Sequence, residues 1–296
     1  MNSTTLITKA RAFLAAAALV ASLPASALQE LTITHQKRVQ ANDFYMIGLL
    51  KLAASYSPEP IKFVETSEEI SRARLEELVQ EGDISVLWTG ASAAIDQKLL
   101  PIRIPAYKGL MGHRIFIIRQ GDQARFDAVQ NLNDLQQIKM GQGKTWTDTN
   151  ILAAAGMHMV TALKTDGLFY MLDGGRFDAF PRGVQEPWQE LEAFGNLPLT
   201  VEQNLVVKYT MPYYFYFNKS DSQLAKVITE GLEKAIADKS FDDYFYSDPE
   251  VKRAIKKANL ANRRIFTIAN PALGPDTPLE RKELWLDLDD LKKREL

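Results

Sequence analysis

The chain has 296 residues, 46% of them hydrophobic and none of them cysteine, so its core must hold without disulfides; thiolate metal sites and a cysteine nucleophile are excluded. Its 35 basic and 37 acidic residues leave a formal charge of −2, a balance that points to neither nucleic acid nor a strongly anionic surface as partner. The size suits one large domain or two moderate lobes.

Lys9 and Arg11 precede an apolar run over 12–23 that is short for a membrane span, and Ala25-Ser26-Ala27 has the form of a cleavage site. A leader over 1–27 and a mature chain from Leu28 are therefore expected. No cysteine follows the run, so no lipid anchor is expected, and no second apolar segment reaches spanning length. Losing Lys9 and Arg11 takes the basic count from 35 to 33 against 37 acidic residues, a mature charge of −4.

Leu31-Thr32-Ile33-Thr34 alternates as a half-buried strand does, and Asp43 starts an amphipathic helix that Pro58 and Pro60 end. A strand is expected over 61–64. Thr66-Ser67-Glu68-Glu69 then reads as a capping box opening a helix that buries Ile70, Ala73, Leu78 and Val79, with Gly82 as its stop. Ile84-Ser85-Val86-Leu87-Trp88 reads as a buried strand, with Thr89-Gly90-Ala91-Ser92 leaving its carboxyl end. Such alternation predicts a parallel sheet with its crevice beyond the strand ends.

A strong strand over 113–119 is followed by a fresh α/β unit. A helical turn over 134–137, a strand over 138–141, helices over 148–155 and 166–172 and a strand over 177–180 are expected. A helix over 187–194 and strands over 205–209 and 213–217 follow, then helices over 222–237 and 249–259 and an extended tail through 264–268. Two similar α/β units joined by two strong strands imply two lobes and a hinge near Ile115 and Phe215.

Several pieces carry a resemblance. Leu132-Asn133-Asp134-Leu135 precedes Ile138-Lys139-Met140-Gly141, and residues 172–179 fit the pattern L-x-x-G-R-x-D-A. Tyr214-Phe215-Tyr216-Phe217-Asn218-Lys219-Ser220-Asp221 then forms a strand with a Lys-x-Asp turn. Together, over about 31–259, they resemble the family-3 periplasmic solute-binding proteins, the two-lobed type II receptors of polar amino-acid ABC transporters. The resemblance implies an α/β fold of two lobes, each a mostly parallel sheet flanked by helices, with two hinge strands. One lobe would comprise 28–118 and 213–296, the other 119–212. It also implies a periplasmic monomer that is not an enzyme, needs no cofactor or metal, and closes on a small polar solute.

Two departures bear on the solute. Amino-acid receptors of this family carry an Arg three residues after the Thr that follows the third strand, as a bidentate carboxylate clamp; here that position is Ser92. They also carry an Asp five residues after the Asp of the "D–A" strand, to meet an ammonium; here it is Gly183, beside Arg182. Both anchors for a free α-amino acid are missing.

Candidate ligand contacts cluster at the same strand ends. In the resembled family the turn Lys144-Thr145-Trp146-Thr147-Asp148 offers hydroxyl and backbone donors, with Trp146 as a flat wall; the alternative is that Thr147 or Asp148 caps the helix and Trp146 packs between strands. Arg182 suits a carboxylate or phosphate, or else a salt bridge to Glu186 one turn on. Trp88 is core or wall, and Thr89 faces the crevice. Arg114 either binds solute or pins the hinge, while Gln36 and Asp43 are weaker candidates and Tyr213, Tyr214 and Tyr216 read as packing.

Enzyme readings lack their motifs. His35, His113 and His158 have no metal-ligand spacing, there is no G-x-S-x-G or S-x-x-K, and Gly141-Gln142-Gly143-Lys144-Thr145 misses P-loop spacing. The expected role is delivery of a solute to a membrane permease. The alternatives are a sensory subunit reporting to a membrane signalling protein and, behind it, a wall-acting enzyme with this fold.

Overall fold

The structure is a computed structural model and describes residues 31–39, 41–144, 146–288 and Leu291; the expected leader and Thr145 lie outside them. Its strands in chain order are Leu31–His35 (β1), Ile61–Glu65 (β2), Val86–Gly90 (β3), Leu100–Ile102 (β4), His113–Arg119 (β5) and Lys139–Gly143 (β6). His158–Ala162 (β7), Phe180–Gly183 (β8), Leu199–Val201 (β9), Leu205–Lys208 (β10), Tyr213–Phe217 (β11) and Arg264–Thr267 (β12) follow.

They assemble into two sheets of the same plan. In the first, β2 pairs with β1 in parallel, and the Ser85 N–H donates to the Thr34 carbonyl at 2.9 Å where β1 meets the start of β3. β11 then runs antiparallel between β3 and β4, giving the order β2-β1-β3-β11-β4. In the second, β7 pairs with β6 in parallel, and a parallel bridge from Met140 to Ala179 leads to β8. β5 runs antiparallel between β8 and β9, giving β7-β6-β8-β5-β9. In both sheets the strand that arrives from a crossing opposes its neighbours: β11 is antiparallel to β3 and β4, and β5 is antiparallel to β8, β9 and β10.

Side-chain alternation explains why β11 is apolar throughout. Phe215 and Phe217 enter a core beneath the helices Ala41–Ala54 and Ser222–Ala237, while Tyr214 and Tyr216 enter the core on the opposite face. The two helices touch closely: a Cβ on Gly231 would lie 2.1 Å from the Ala53 carbonyl oxygen, so only glycine fits there. Among the described residues no helix is long and apolar enough to cross a membrane.

The chain leaves the first sheet over 107–112 and returns to it over 209–212. Ile115 lies beyond the first crossing, paired with Arg182, and Phe215 lies beyond the second, paired with Trp88 and Ile102. The crossings touch each other: the Tyr209 N–H donates to the Gly112 carbonyl at 3.0 Å, and a Cβ on Gly112 would meet the Tyr209 carbonyl oxygen at 2.0 Å.

The tail does more than extend. Arg263 pairs with Glu202 at 3.2 Å with both side chains essentially dry, and β12 adds in parallel to β10, which itself pairs with β5. Asn270 then donates to the Thr210 carbonyl at 2.9 Å, and Arg103 reaches Asp276 at 3.2 Å. The Leu286 N–H donates to the Lys108 carbonyl at 2.7 Å, and Leu284 and Leu286 join the core of the first sheet. The tail therefore runs from the second sheet to the first alongside both crossings.

Some elements differ from expectation. The helix expected from Thr66 begins at Arg72 and buries Leu75 and Val79, because the Thr66 hydroxyl is taken by the Lys37 N–H at 2.9 Å and the Glu68 carbonyl at 3.1 Å. The strand expected over 177–180 shifts to β8, since pairing with β5 at 180–183 defines it. Short elements such as β4, β7, β9 and the helix Ser240–Ser247 have too few residues to show a period.

Candidate functional site

The carboxyl ends of β3, β6 and β8 supply most of the expected contact residues. On the first lobe, Asp43 lies in the first turn of Ala41–Ala54 and is 6% exposed. It accepts from Gln36 Nε2 at 2.9 Å, the Val39 N–H at 3.0 Å and Trp88 Nε1 at 3.1 Å, so it ties the loop after β1 to the end of β3. Trp88 is thereby buried at the crevice floor, and Thr89 beside it is partly exposed.

A cavity of about 290 Å³ opens over this floor, bordered by Gln36, Asn42, Arg72, Trp88 and Tyr213. Arg72 donates to the Trp88 carbonyl at 3.1 Å, and among the described residues no carboxylate lies in salt-bridge range of its guanidinium. Arg72 is exposed as a residue, yet desolvation of its guanidinium beside the wall pushes its pKa down, against the pull of Tyr213, Glu76 and Tyr216. Asn42 donates to the Tyr213 hydroxyl at 3.1 Å and accepts from Tyr107 at 3.0 Å, which fixes its amide at the crevice edge.

Asn42 also borders a second cavity of about 180 Å³, closed on the other lobe by Gln185, Glu186 and Gln189. There Gln185 donates to the Met111 sulfur at 2.8 Å, which leaves its buried Oε1 without a hydrogen-bond partner. The two cavities meet at Asn42, so the crevice presents a cation at one end and an unmatched acceptor at the other.

The second lobe uses its charges internally. Arg182, 7% exposed, is gripped by Glu190, with Nε 2.8 Å from Oε2 and Nη2 2.5 Å from Oε1, and by Glu186 at 3.2 Å. Its guanidinium stacks 4.9 Å from both the Trp146 and Phe180 ring centroids. Burial opposes its charge, but Glu186 and Glu190 outweigh that and raise its pKa; burial raises that of Glu190. The geometry is that of the salt-bridge alternative, extended by Glu190.

Asp148 does not cap its helix: Thr147–Ala154 has Trp146 at its N-cap with no side-chain cap bond. Asp148 instead pairs with Arg114 at 2.6 Å and accepts from the Tyr209 hydroxyl, which itself accepts from Arg114 Nε at 2.8 Å. Arg114 also reaches Glu186 at 3.5 Å, joining β5, the second crossing and β8's exit in one buried network. Lys144, at the end of β6, is exposed. Ser92, where the family's arginine was missing, accepts from the Ile95 N–H at 3.5 Å as the N-cap of Ala93–Lys98.

Sequence reasoning did not single out Arg72, Asn42 or Gln185, and its reading of Tyr213 as packing agrees with its place against the first sheet's core, though its hydroxyl also meets Asn42 at the cavity edge. Arg72 carried no signal because it enters the crevice from a helix start assigned elsewhere. Tyr213 had one, as the first residue of a strand whose partner, Gly90, ends β3.

No protein-family model and no curated protein matches the chain. Solved structures share its fold. The probable amino-acid ABC transporter extracellular-binding protein ytmK of Bacillus subtilis is 14% identical with a TM-score of 0.56, covering 76% of this chain and 99% of its own. Another Bacillus subtilis protein is 17% identical, TM-score 0.50, covering 81% and 96%. An ancestral arginine-binding protein bound to glutamine is 17% identical, TM-score 0.50, covering 74% and 98%. The chain therefore has the two-lobed α/β fold of amino-acid ABC transporter substrate-binding proteins, in a widely diverged sequence.

Proposed function

We propose that the chain is a periplasmic solute-binding receptor whose lobes close on a small polar solute bearing an acid group, and that it presents this solute to an ABC-type membrane permease. The observation that carries the reading is Arg72, an exposed guanidinium with no carboxylate in salt-bridge range among the described residues, lining a crevice of this fold beside Trp88, Asn42 and Tyr213. It would take the place of the carboxylate clamp missing at Ser92, from a different element. Gln185 Oε1 would accept a proton donor of the solute from the second lobe.

The lobes would move about 107–112 and 209–212, where few residues connect the sheets. Closure would be driven by differential binding, the solute holding the closed form that a permease recognises. Lys144, Trp146 and Thr89 would line the closed crevice, while Arg114, Asp148 and Arg182 would hold the second lobe's wall in shape.

The test is a thermal-shift screen of the mature protein with organic acids, amino acids, polyamines and short peptides. A solute at a hundred times its dissociation constant should add about 2.7 kcal/mol of stability. Arg72→Ala should remove the shift caused by an acid solute. If no compound across the panel moves the melting temperature, the receptor reading fails.

A further inference from the structure

The largest cavity described, about 520 Å³, lies over the two crossings on the side covered by the tail, and it shares no lining residue with the crevice cavities. Its volume falls within the range of small-molecule sites. Three observations give it chemistry. His113 lines it at 2% exposed, its ring buried beside the Leu110 and Gly109 carbonyls.

Lys208 and Lys282 also line it, and neither forms an ion pair among the described residues. Lys108 is different, engaged by Asp242 at 2.7 Å and the Glu283 carbonyl at 2.5 Å, and Asp287 at the wall already has a partner. The remaining wall is apolar and flat. Trp285 lies against Gly109, where a Cβ would meet its ring at 2.7 Å, and Leu279 and Ile265 are large hydrophobics left 54% and 43% exposed.

We propose that this cavity is a second ligand site, separate from the crevice, that takes a small organic carboxylate with a flat apolar body. The carboxylate pairs with Lys208 and Lys282, and the ring or chain lies on Trp285 beneath Leu279. Alternation along β5 places this site back to back with the crevice: His113 lines the cavity, and the next residue, Arg114, reaches Asp148 and Glu186. The tail builds half of the site.

Calorimetric titration of the full mature chain with phenylacetate tests it. One saturable site with a dissociation constant of roughly 1 mM or tighter is expected, and Lys208→Gln should weaken it about tenfold. Lys208 is a partly exposed strand end, so this variant keeps the test open where His113→Gln fails to fold. Arg72→Ala should leave phenylacetate affinity unchanged, which separates this site from the crevice. The proposal is overturned if no saturation appears by about 10 mM. It is also overturned if Arg72→Ala rather than Lys208→Gln removes binding, or if only a chain ending at Leu291 binds, which would mean that the terminal residues occupy the cavity.

Discussion

Arg114 Nη2 lies 2.6 Å from Asp148 Oδ1, an ion pair whose side chains are only 5% and 13% exposed, and it fastens β5 to the helix Thr147–Ala154. Burial works against the guanidinium, but Asp148, Tyr209 and Glu186 outweigh it and raise its pKa. Removing one member of such a pair leaves the other charge buried, which costs about 3–5 kcal/mol. Asp148→Asn should therefore lower the melting temperature by roughly 10 °C without any solute present. A loss confined to solute affinity, with the melting temperature unchanged, would show Asp148 to be a ligand contact rather than a brace.

Arg182 makes a second forecast, about side-chain shape rather than charge. Its planar fork meets Glu190 through two nitrogens while its face stacks on Trp146 and Phe180. A lysine supplies the charge but neither the fork nor the flat face. Arg182→Ala should cost about 3–5 kcal/mol, and Arg182→Lys should recover less than half of it in urea titrations. Equal stability of Arg182→Lys and the parent would contradict this account. An unchanged solute affinity in Arg182→Ala would rule out its use as an anion anchor.

The contact between the crossings can be tested with a single methyl group. A Cβ on Gly112 meets backbone, the Tyr209 carbonyl oxygen at 2.0 Å, whereas one on Gly167 meets nothing within 4 Å. Gly112→Ala should destabilise by about 1–3 kcal/mol or more, since backbone cannot rotate aside. Gly167→Ala, within the helix Thr165–Asp173, should be neutral or add up to about 1 kcal/mol. Chemical denaturation of both variants reads the contrast, and a neutral Gly112→Ala would mean that the crossings separate freely.

His113 gives the chain an acid sensitivity. Burial, then Lys208, pushes its pKa from 6.5 down to about 4, against weaker pulls from the Leu110 and Gly109 carbonyls. The unfolded chain therefore binds the proton first, so stability is complete above 6.5 and falls as pH drops toward 4. The contribution lost is about 3 kcal/mol. The difference in unfolding free energy between the parent and His113→Gln should shrink across that window. A difference that stays constant from pH 7 to pH 4 would place no titration at His113.

The lobes were legible because their cause is local. Alternation in Leu31–His35, the helix signals of Ser222–Ala237 and the apolar run of Tyr213–Phe217 fix each element from its own residues, and the structure returns those three bounds to within one residue. The site was legible only in position. Of Trp88, Thr89, Lys144 and Arg182, Trp88 alone lines a crevice cavity described above, and which side chains stay available depends on partners that the sequence does not place nearby.

The sequence by itself determined the two-unit α/β plan, because it follows from residue type and spacing, and its resemblance to the receptor family implied that the usual amino-acid anchors are absent at Ser92 and Gly183. Tertiary structure alone decided how the charges are used. It set Arg114 on Asp148 and Arg182 on Glu190, left Arg72 without a carboxylate, and drew the tail across both crossings. Coulomb pairing and desolvation act between side chains brought together by folding, and those distances are set by the packing of whole elements rather than by their order in the chain.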